Sequence, residues 1–349
     1  MRNLAIGFLL ALLAAGPAGG RDLYVDNRGG DDQSTGTQPR NRSDGSGPLR
    51  TLARALRLAG PGDHIRLTDT GLPYRESVSL VGNRLSGTAV GPLVLDGNGA
   101  VLDGSLEVPA GQWEFYRDNR FRFRPLRTEF YQVFLDGRPA ARVFAAAAGD
   151  SPPKLQPRQW CAHQGAIYFA VEPSKLPADY ALRYACLPTG ITLYHVDRIV
   201  IQDLTIQGFQ VDGLSAANTA RRITLRAVTC TNNGRSGLAV GGASQVDVEN
   251  CLLRGNGVAQ LLTLPYSEVH LRRSRLLGDT AAGWVDRGGR VYLEQQRIEG
   301  GREAIQPQEP AEGPAKTEGG GENAGRKADG EPPNPQIPKS LNPQIPEPP

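Results

Sequence analysis

Between Ile199 and Ile298 one short pattern is written five times, and nothing else in the chain restricts its fold as much. It runs Ile199-Val-Ile201-Gln-Asp203-Leu-Thr-Ile206, and returns with Ile223, Val246, Val269 and Val291 at its first position. The steps are therefore 24, 23, 23 and 22 residues. Each copy but the last leads to a further apolar pair near Leu214, Leu238, Leu261 and Trp284, three of them introduced by Gly213, Gly237 and Gly283. Apolar alternation of period two at a fixed spacing in the twenties specifies a solenoid of strands, because each turn buries its inward side chains only on its neighbours. Helical repeats need a 3.6-residue period, and leucine-rich repeats need a Leu/Asn consensus that is missing here.

The repeats also assign outward residues to columns. One column reads Val200, Thr224, Asp247, His270, Tyr292; two positions on, the next reads Gln202, Arg226, Glu249, Arg272, Glu294. Neighbouring coils lie about 4.8 Å apart, so opposite charges stacked this way pair for about 0.2–1 kcal/mol each and oppose a one-coil slip. A corner column of Asp203, Ala227, Asn250, Arg273 and Gln295 is expected to bend through the left-handed region. Cys230 and Cys251 fall in adjacent coils but different columns. Their Cα atoms should sit about 8 Å apart, beyond the roughly 7 Å limit for a disulfide, so they read as free core thiols. Cys161 and Cys186 lie close enough in sequence for pairing to stay open.

Upstream, Arg2, the apolar run Leu4 to Ala15 and Ala18-Gly19-Gly20 read as a secretory signal peptide at 1–20, too short in its apolar core for a membrane span. No later stretch has a span's roughly 20 apolar residues, so no transmembrane segment is expected. Asp26, Asp31, Asp32 and Asp44 lack the alternation of an EF-hand and read as a solvated loop. A helix is predicted from Leu49 to Ala59, with Leu52, Ala55, Leu56 and Ala59 on one face and Arg50, Arg54 and Arg57 on the other. It is placed to cover the first coil. Residues 21–111 then hold this cap and the first irregular coils.

Residues 112–188 break the pattern. They contain 14 of the 22 Phe, Tyr and Trp residues and read as an inserted antiparallel β module. Its aromatics serve first as the core a small unit needs, and second as a stacking platform for sugar rings. Residues 189–300 are the regular coils; 301–349 is a Pro/Glu/Gly-rich tail expected to be disordered. Without signal and tail, the body carries 33 basic against 28 acidic residues, a mild bias toward polyanions. No basic block interleaved with aromatics marks it for nucleic acid.

The repeat, together with Gly30-Asp31-Asp32, Gly47-Pro48-Leu49-Arg50-Thr51-Leu52 and Pro61-Gly62-Asp63-His64-Ile65, resembles the right-handed parallel β-helix proteins of the pectin-lyase-like superfamily. That resemblance covers roughly 21–110 and 189–300. It implies an all-β, right-handed parallel β-helix with an N-terminal cap helix, in a superfamily that holds lyases, hydrolases, epimerases and non-catalytic proteins. Several of its lyases use a Lys base on the coils, and this chain has no Lys between 176 and 315. The paired-aspartate pattern of its hydrolases is also missing.

Candidate catalytic residues are therefore few. Asp247 and His270 are vertical neighbours with the makings of a carboxylate-oriented general base. Arg226, Arg272 and Tyr292 beside them are candidate substrate contacts. Asp212, with Arg235, borders the sheet on which β-helix enzymes usually carry their site. No metal site or cofactor motif is read. The expectation is a secreted or periplasmic monomer that engages an acidic polysaccharide, possible as a non-catalytic binder. A polysaccharide lyase or glycoside hydrolase, and a protein-interaction module, are the alternatives.

Overall fold

The computed structural model describes residues 20–127, 129–145 and 151–306. The expected signal peptide, apart from its last residue, and the tail from 307 lie outside the described residues. Three sheets of nine, six and five strands, parallel except for the last pair of the nine-stranded one, wrap around one apolar interior, as an all-β solenoid requires. The sequence spacing is the register: Ile199 pairs with Ile223, Ile223 with Val246, Val246 with Val269, and Val269 with Val291. Inward residues of successive coils, such as Ile201, Leu225, Val248 and Leu271, are almost wholly buried. Each such side chain contributes about 1.5–3 kcal/mol relative to exposure.

The corners follow the column read from sequence. Asp203, Ala227, Asn250, Arg273 and Gln295 all have positive φ, at 49°, 51°, 53°, 47° and 74°. Opposite them runs a device the strand pattern hides. Asn233 and Asn256 stack fully buried in adjacent coils, with Asn233 donating from Nδ2 to Asn256 Oδ1 at 3.0 Å. Phe209 N donates to Asn233 Oδ1, and Asn233 N to Asn256 Oδ1. The ladder satisfies backbone groups at a bend where no strand partner is available. Gly213 and Gly237 are required beside it, since a Cβ at either would come within 2.8 Å of an Asn side-chain nitrogen.

Both ends of the stack are closed. The helix runs Leu52–Leu58, shorter than predicted because Leu49 is taken up in a bridge to Val25. Thr51 caps it, and Glu76 accepts from Leu52 N and Ala53 N at 2.9 and 2.8 Å. Leu52, Ala55, Leu56 and Ala59 are buried as expected. At the other end Gln296–Ile298 turns back antiparallel on Arg290–Leu293. Arg302 then bridges Trp284 and Ile305 bridges Leu276, so the folded body continues past residue 300. An antiparallel return covers the last coil's edge without a helix.

The insert is two four-stranded antiparallel sheets. One contains Glu114–Arg117, Arg120–Phe123, Ala166–Ala170 and Trp160–His163. The other contains Ser105–Glu107, Leu182–Ala185 and Val133–Leu135, so the module's first strand lies before residue 112. Phe123, Trp160, Phe169 and Tyr184 form its core, which is where most of the aromatic content goes. All four cysteines are unpaired. Cys230 sits between Ile206 and Leu253, as its column required, and burial pushes the Cys161 and Cys251 thiols up to about 11. In the first loop, Asp26, Asp31, Asp32 and Asp44 all accept hydrogen bonds from nearby groups and shape the loop.

Candidate functional site

The candidates on the coils fall on two faces. Asp247, His270 and Tyr292 stack on the nine-stranded sheet, in the column read from sequence. Their polar contacts differ from that reading. His270 Nε2 is 3.0 Å from Glu268 Oε1, two residues back on its own strand, and its ring stacks on Tyr292 with centroids 4.7 Å apart. Asp247 instead accepts from Arg272 at 2.8 Å. Arg272 also reaches Glu249 at 3.5 Å, and Glu249 faces Arg226 at 3.4 Å. The Asp247 carboxylate thus does not orient His270; Glu268 does, itself paired to Arg290 at 2.6 Å and to Gln245 at 3.0 Å. The hydrogen bond from His270 and the nearby Arg290 hold the Glu268 carboxyl below its ordinary value. What results is a charge ladder in which each named carboxylate already has a cation.

Asp212 lies on the six-stranded sheet and is not brought to Asp247 or His270. It is almost fully buried and bound in parallel by Arg235, Nε to Oδ1 at 3.0 Å and an amine nitrogen to Oδ2 at 2.5 Å, with Ser236 Oγ on Oδ1 at 2.5 Å. A forked guanidinium plus a hydroxyl occupies the directions from which such a carboxylate would take a proton. Arg235 also sits 5.9 Å from the centre of the Phe130 ring, which belongs to the insert. There the insert touches the coils. Gln210 Nε2 donates to Glu129 O at 2.8 Å, and Phe130 holds φ 50° with its carbonyl packed on Gly234. A Cβ on Gly234 would come within 2.2 Å of that oxygen. An aromatic residue in the left-handed region is costly and persists only where packing demands it.

A second junction, unread in the sequence, lies between the early coils and the sheet of Ser105–Glu107 and Leu182–Ala185. Arg75 and Arg183 converge on Ser105 O, each at 2.6 Å. Arg75 is 3.4 Å from Asp103, and Arg183 pairs with Glu107 at 3.0 Å. Burial and the neighbouring Arg75 charge pull the Arg183 pKa down, the response of two guanidiniums set close together. They border a cavity of about 120 Å³ whose coil wall is Gln207, Gly208 and Asn232. Arg183 and Glu107 also border a larger cavity of about 580 Å³, walled by Trp113, Tyr180 and Pro177. Trp113 stands edge-on to Phe123 at 4.8 Å, and the Tyr180 hydroxyl is tied to Glu172 at 3.0 Å, so both walls are fixed. Chemically, the larger cavity is an apolar aromatic surface within the insert bordered by one cation, Arg183, which shares Ser105 O with Arg75 on the wall of the smaller cavity. Positions 75, 103, 113 and 183 are too scattered for sequence spacing to unite them; only the aromatic excess of the insert pointed there.

Residues 186–305 match the family model described as "Right handed beta helix region". No curated protein sequence matches the chain. Among solved structures it is similar to a protein described as "Glycoside hydrolase", at 13% identity and TM-score 0.50, over 73% of this chain and 72% of that one. A complex of XylC with xylose aligns at 13% identity and TM-score 0.49, over 76% of this chain and 59% of that one. The pectate lyase Pel9A aligns at 14% identity and TM-score 0.30, over 74% and 64%. This chain thus spans about three fifths of the xylose-bound structure's length. At such identities the likeness concerns fold. The chain carries a right-handed parallel β-helix, and its two junctions with the insert are features of its own sequence.

Proposed function

We propose that this is a secreted protein that binds an acidic polysaccharide, without cleaving it, along the junction between the early coils and the insert. The observation that carries the reading is the cavity of about 580 Å³, whose Trp113 and Tyr180 walls meet Arg183, with Arg75 alongside. A flat aromatic face complements a pyranose ring, and guanidinium forks complement carboxylate or sulfate. The excess of basic residues over acidic in the body favours the same partner. Binding without cleavage rests on the coils. Asp212, Asp247 and Glu249 are each engaged by arginine, which leaves none of them poised as a free acid or base. Among the described residues, the one carboxylate that lines the aromatic cavity is Glu107, largely exposed and paired to Arg183.

The test is an array of polyuronides, sulfated glycans and neutral glycans, followed by titration of any hit. Charged glycans are expected to bind and to be recovered intact. Trp113→Ala and Arg75→Gln should each weaken binding about tenfold or more, with folding checked by circular dichroism. Equal binding of neutral glycans would contradict the acidic-ligand reading. Cleavage products that disappear in Glu107→Gln would replace binding with catalysis.

A further inference from the structure

We propose that the insert holds a second ligand site, separate from the aromatic junction cavity, that takes one carboxylate-bearing sugar: a free uronate or the uronate end of a glycan. It extends the acidic-glycan reading to a new place on the molecule. The site is a cavity of about 620 Å³ where the strand Arg120–Phe123 and the hairpin of Trp160–His163 and Ala166–Ala170 end. It is a shallow depression, largely open to solvent, and its groups, not its volume, mark it as a site.

Its polar groups are unmatched. His163 is only 9% exposed, yet its Nε2 has no hydrogen-bond partner among the described residues. The Tyr131 hydroxyl, also buried, has none either. A buried polar atom without a partner is unfavourable unless something arrives to satisfy it. His64 Nε2 and Gln210 Oε1 share this condition; the cavity Gln210 borders is only about 50 Å³.

The charges are unmatched as well. Arg124 lines the cavity and spends one nitrogen on Gln164 O at 3.1 Å. Arg142 lies beside Tyr131, reaching its carbonyl at 3.4 Å, and is steadied over Phe144 and Trp160 at 4.6 and 4.8 Å. Neither arginine has a carboxylate within ion-pair distance among the described residues, unlike the arginines of the coil ladder. Arg124 offers the cavity a guanidinium for one anion, while Arg142, exposed beside Tyr131, stands outside the lining. The Tyr131 hydroxyl and His163 Nε2 lie just beneath the wall and meet a ligand hydroxyl once the wall side chains shift. Pro125 and Ala162 supply a small apolar wall. A uronate offers all three on one ring.

Tyr131 is held in place by the coils. The preceding residue, Phe130, is pinned in its left-handed conformation by Gly234 and lies against Arg235. The contact that orders this junction therefore also sets the phenol.

The full chain is titrated with glucuronate, glucose and inorganic phosphate, by calorimetry and by NMR of the His163 ring. Saturable 1:1 binding of glucuronate with a shifted His163 signal is expected, and glucose should bind about tenfold more weakly or worse. Arg124→Gln and the conservative Tyr131→Phe should each cost about tenfold, and Arg124→Lys should restore part of the loss. Phosphate binding as tightly as glucuronate would reduce the site to a bare anion hole and overturn the proposal. So would glucuronate binding unchanged in both variants, or no saturation. A chain that binds glucuronate but no polyuronide would retain this site while refuting the junction reading, so the two failures are distinguishable.

Discussion

The regular coils and the cavity-lining part of the insert handle their polar residues differently, although the insert has ion pairs of its own, such as Arg120–Asp118 and Arg122–Glu114, and the coils keep His64 Nε2 and Gln210 Oε1 without partners. On the coils, Asp247, Glu249, Arg226 and Arg272 pair with each other, Asp212 is locked to Arg235, and Asn233 and Asn256 satisfy the bends. In the insert, His163 and Tyr131 keep polar atoms without partners, and Arg124 and Arg142 keep charges without counter-ions among the described residues. The difference follows from architecture. A solenoid must specify register at every step, and the ladder side chains Asp247, Glu249, Arg226 and Arg272 are committed to the coil above or below. A module outside the repeat carries no such duty and is free to keep groups for a ligand. The two proposed ligand sites are placed accordingly: the coils provide rigidity, and both sites lie where the repeat is interrupted.

If the coils' polar groups are structural, removing them must cost stability. Asn256→Ala should cost most, about 2–4 kcal/mol, because it orphans Asn233 N, leaves Asn233 Nδ2 only its bond to Ile206 O and removes the side-chain donor to Cys230 O, all in the interior. A denaturant midpoint measured beside that of Asn41→Ala, in an exposed loop, checks it. Next comes Asp212→Ala, at about 2–3 kcal/mol. That is below the usual cost of breaking a fully buried pair because the Arg235 side chain is 31% exposed. A loss under about 0.5 kcal/mol would argue that Asp212 is kept for something other than the fold.

A smaller effect depends on pH. The Glu268 carboxyl is held below its ordinary 4.5 by His270, with Arg290 and Gln245 helping. A carboxylate with a depressed folded value contributes stability above its unfolded pKa and loses it as pH falls through the folded one. Wild type should therefore lose stability below about pH 4.5 more steeply than Glu268→Gln, as thermal melts across acid pH would show. Smallest of all is Arg226→Gln, at about 0.2–1 kcal/mol and fading with salt. A large, salt-independent loss there would mean the ladder is more than register.

Much of the coil architecture was legible because a period-two strand at fixed spacing forces its own columns. The pairing of Ile199 through Val291, the place of Cys230 and the positive φ of Ala227 and Arg273 all follow from counting. Side-chain direction does not. His270 leans along its strand to Glu268 instead of across to Asp247, because residues two apart share a face and the cross-strand carboxylate is already taken by Arg272. The Asn ladder was missed since Asn233 and Asn256 sit in turns, outside the alternation, although their 23-residue spacing and following glycines signal it. The insert's first strand was missed because Ser105–Glu107 is short and follows a coil strand almost directly. Cavities assembled from Arg75, Trp113 and Arg183, or from Arg124, Tyr131 and His163, have no linear signature at all.

One comparison decides where the work is done. Binding of an acidic glycan is measured side by side for wild type, Trp113→Ala and the double variant Asp247→Ala/His270→Ala. Loss of about tenfold or more in Trp113→Ala, with the double variant close to wild type, is the predicted result. Binding kept in Trp113→Ala and lost in the double variant would return function to the coils and contradict the account.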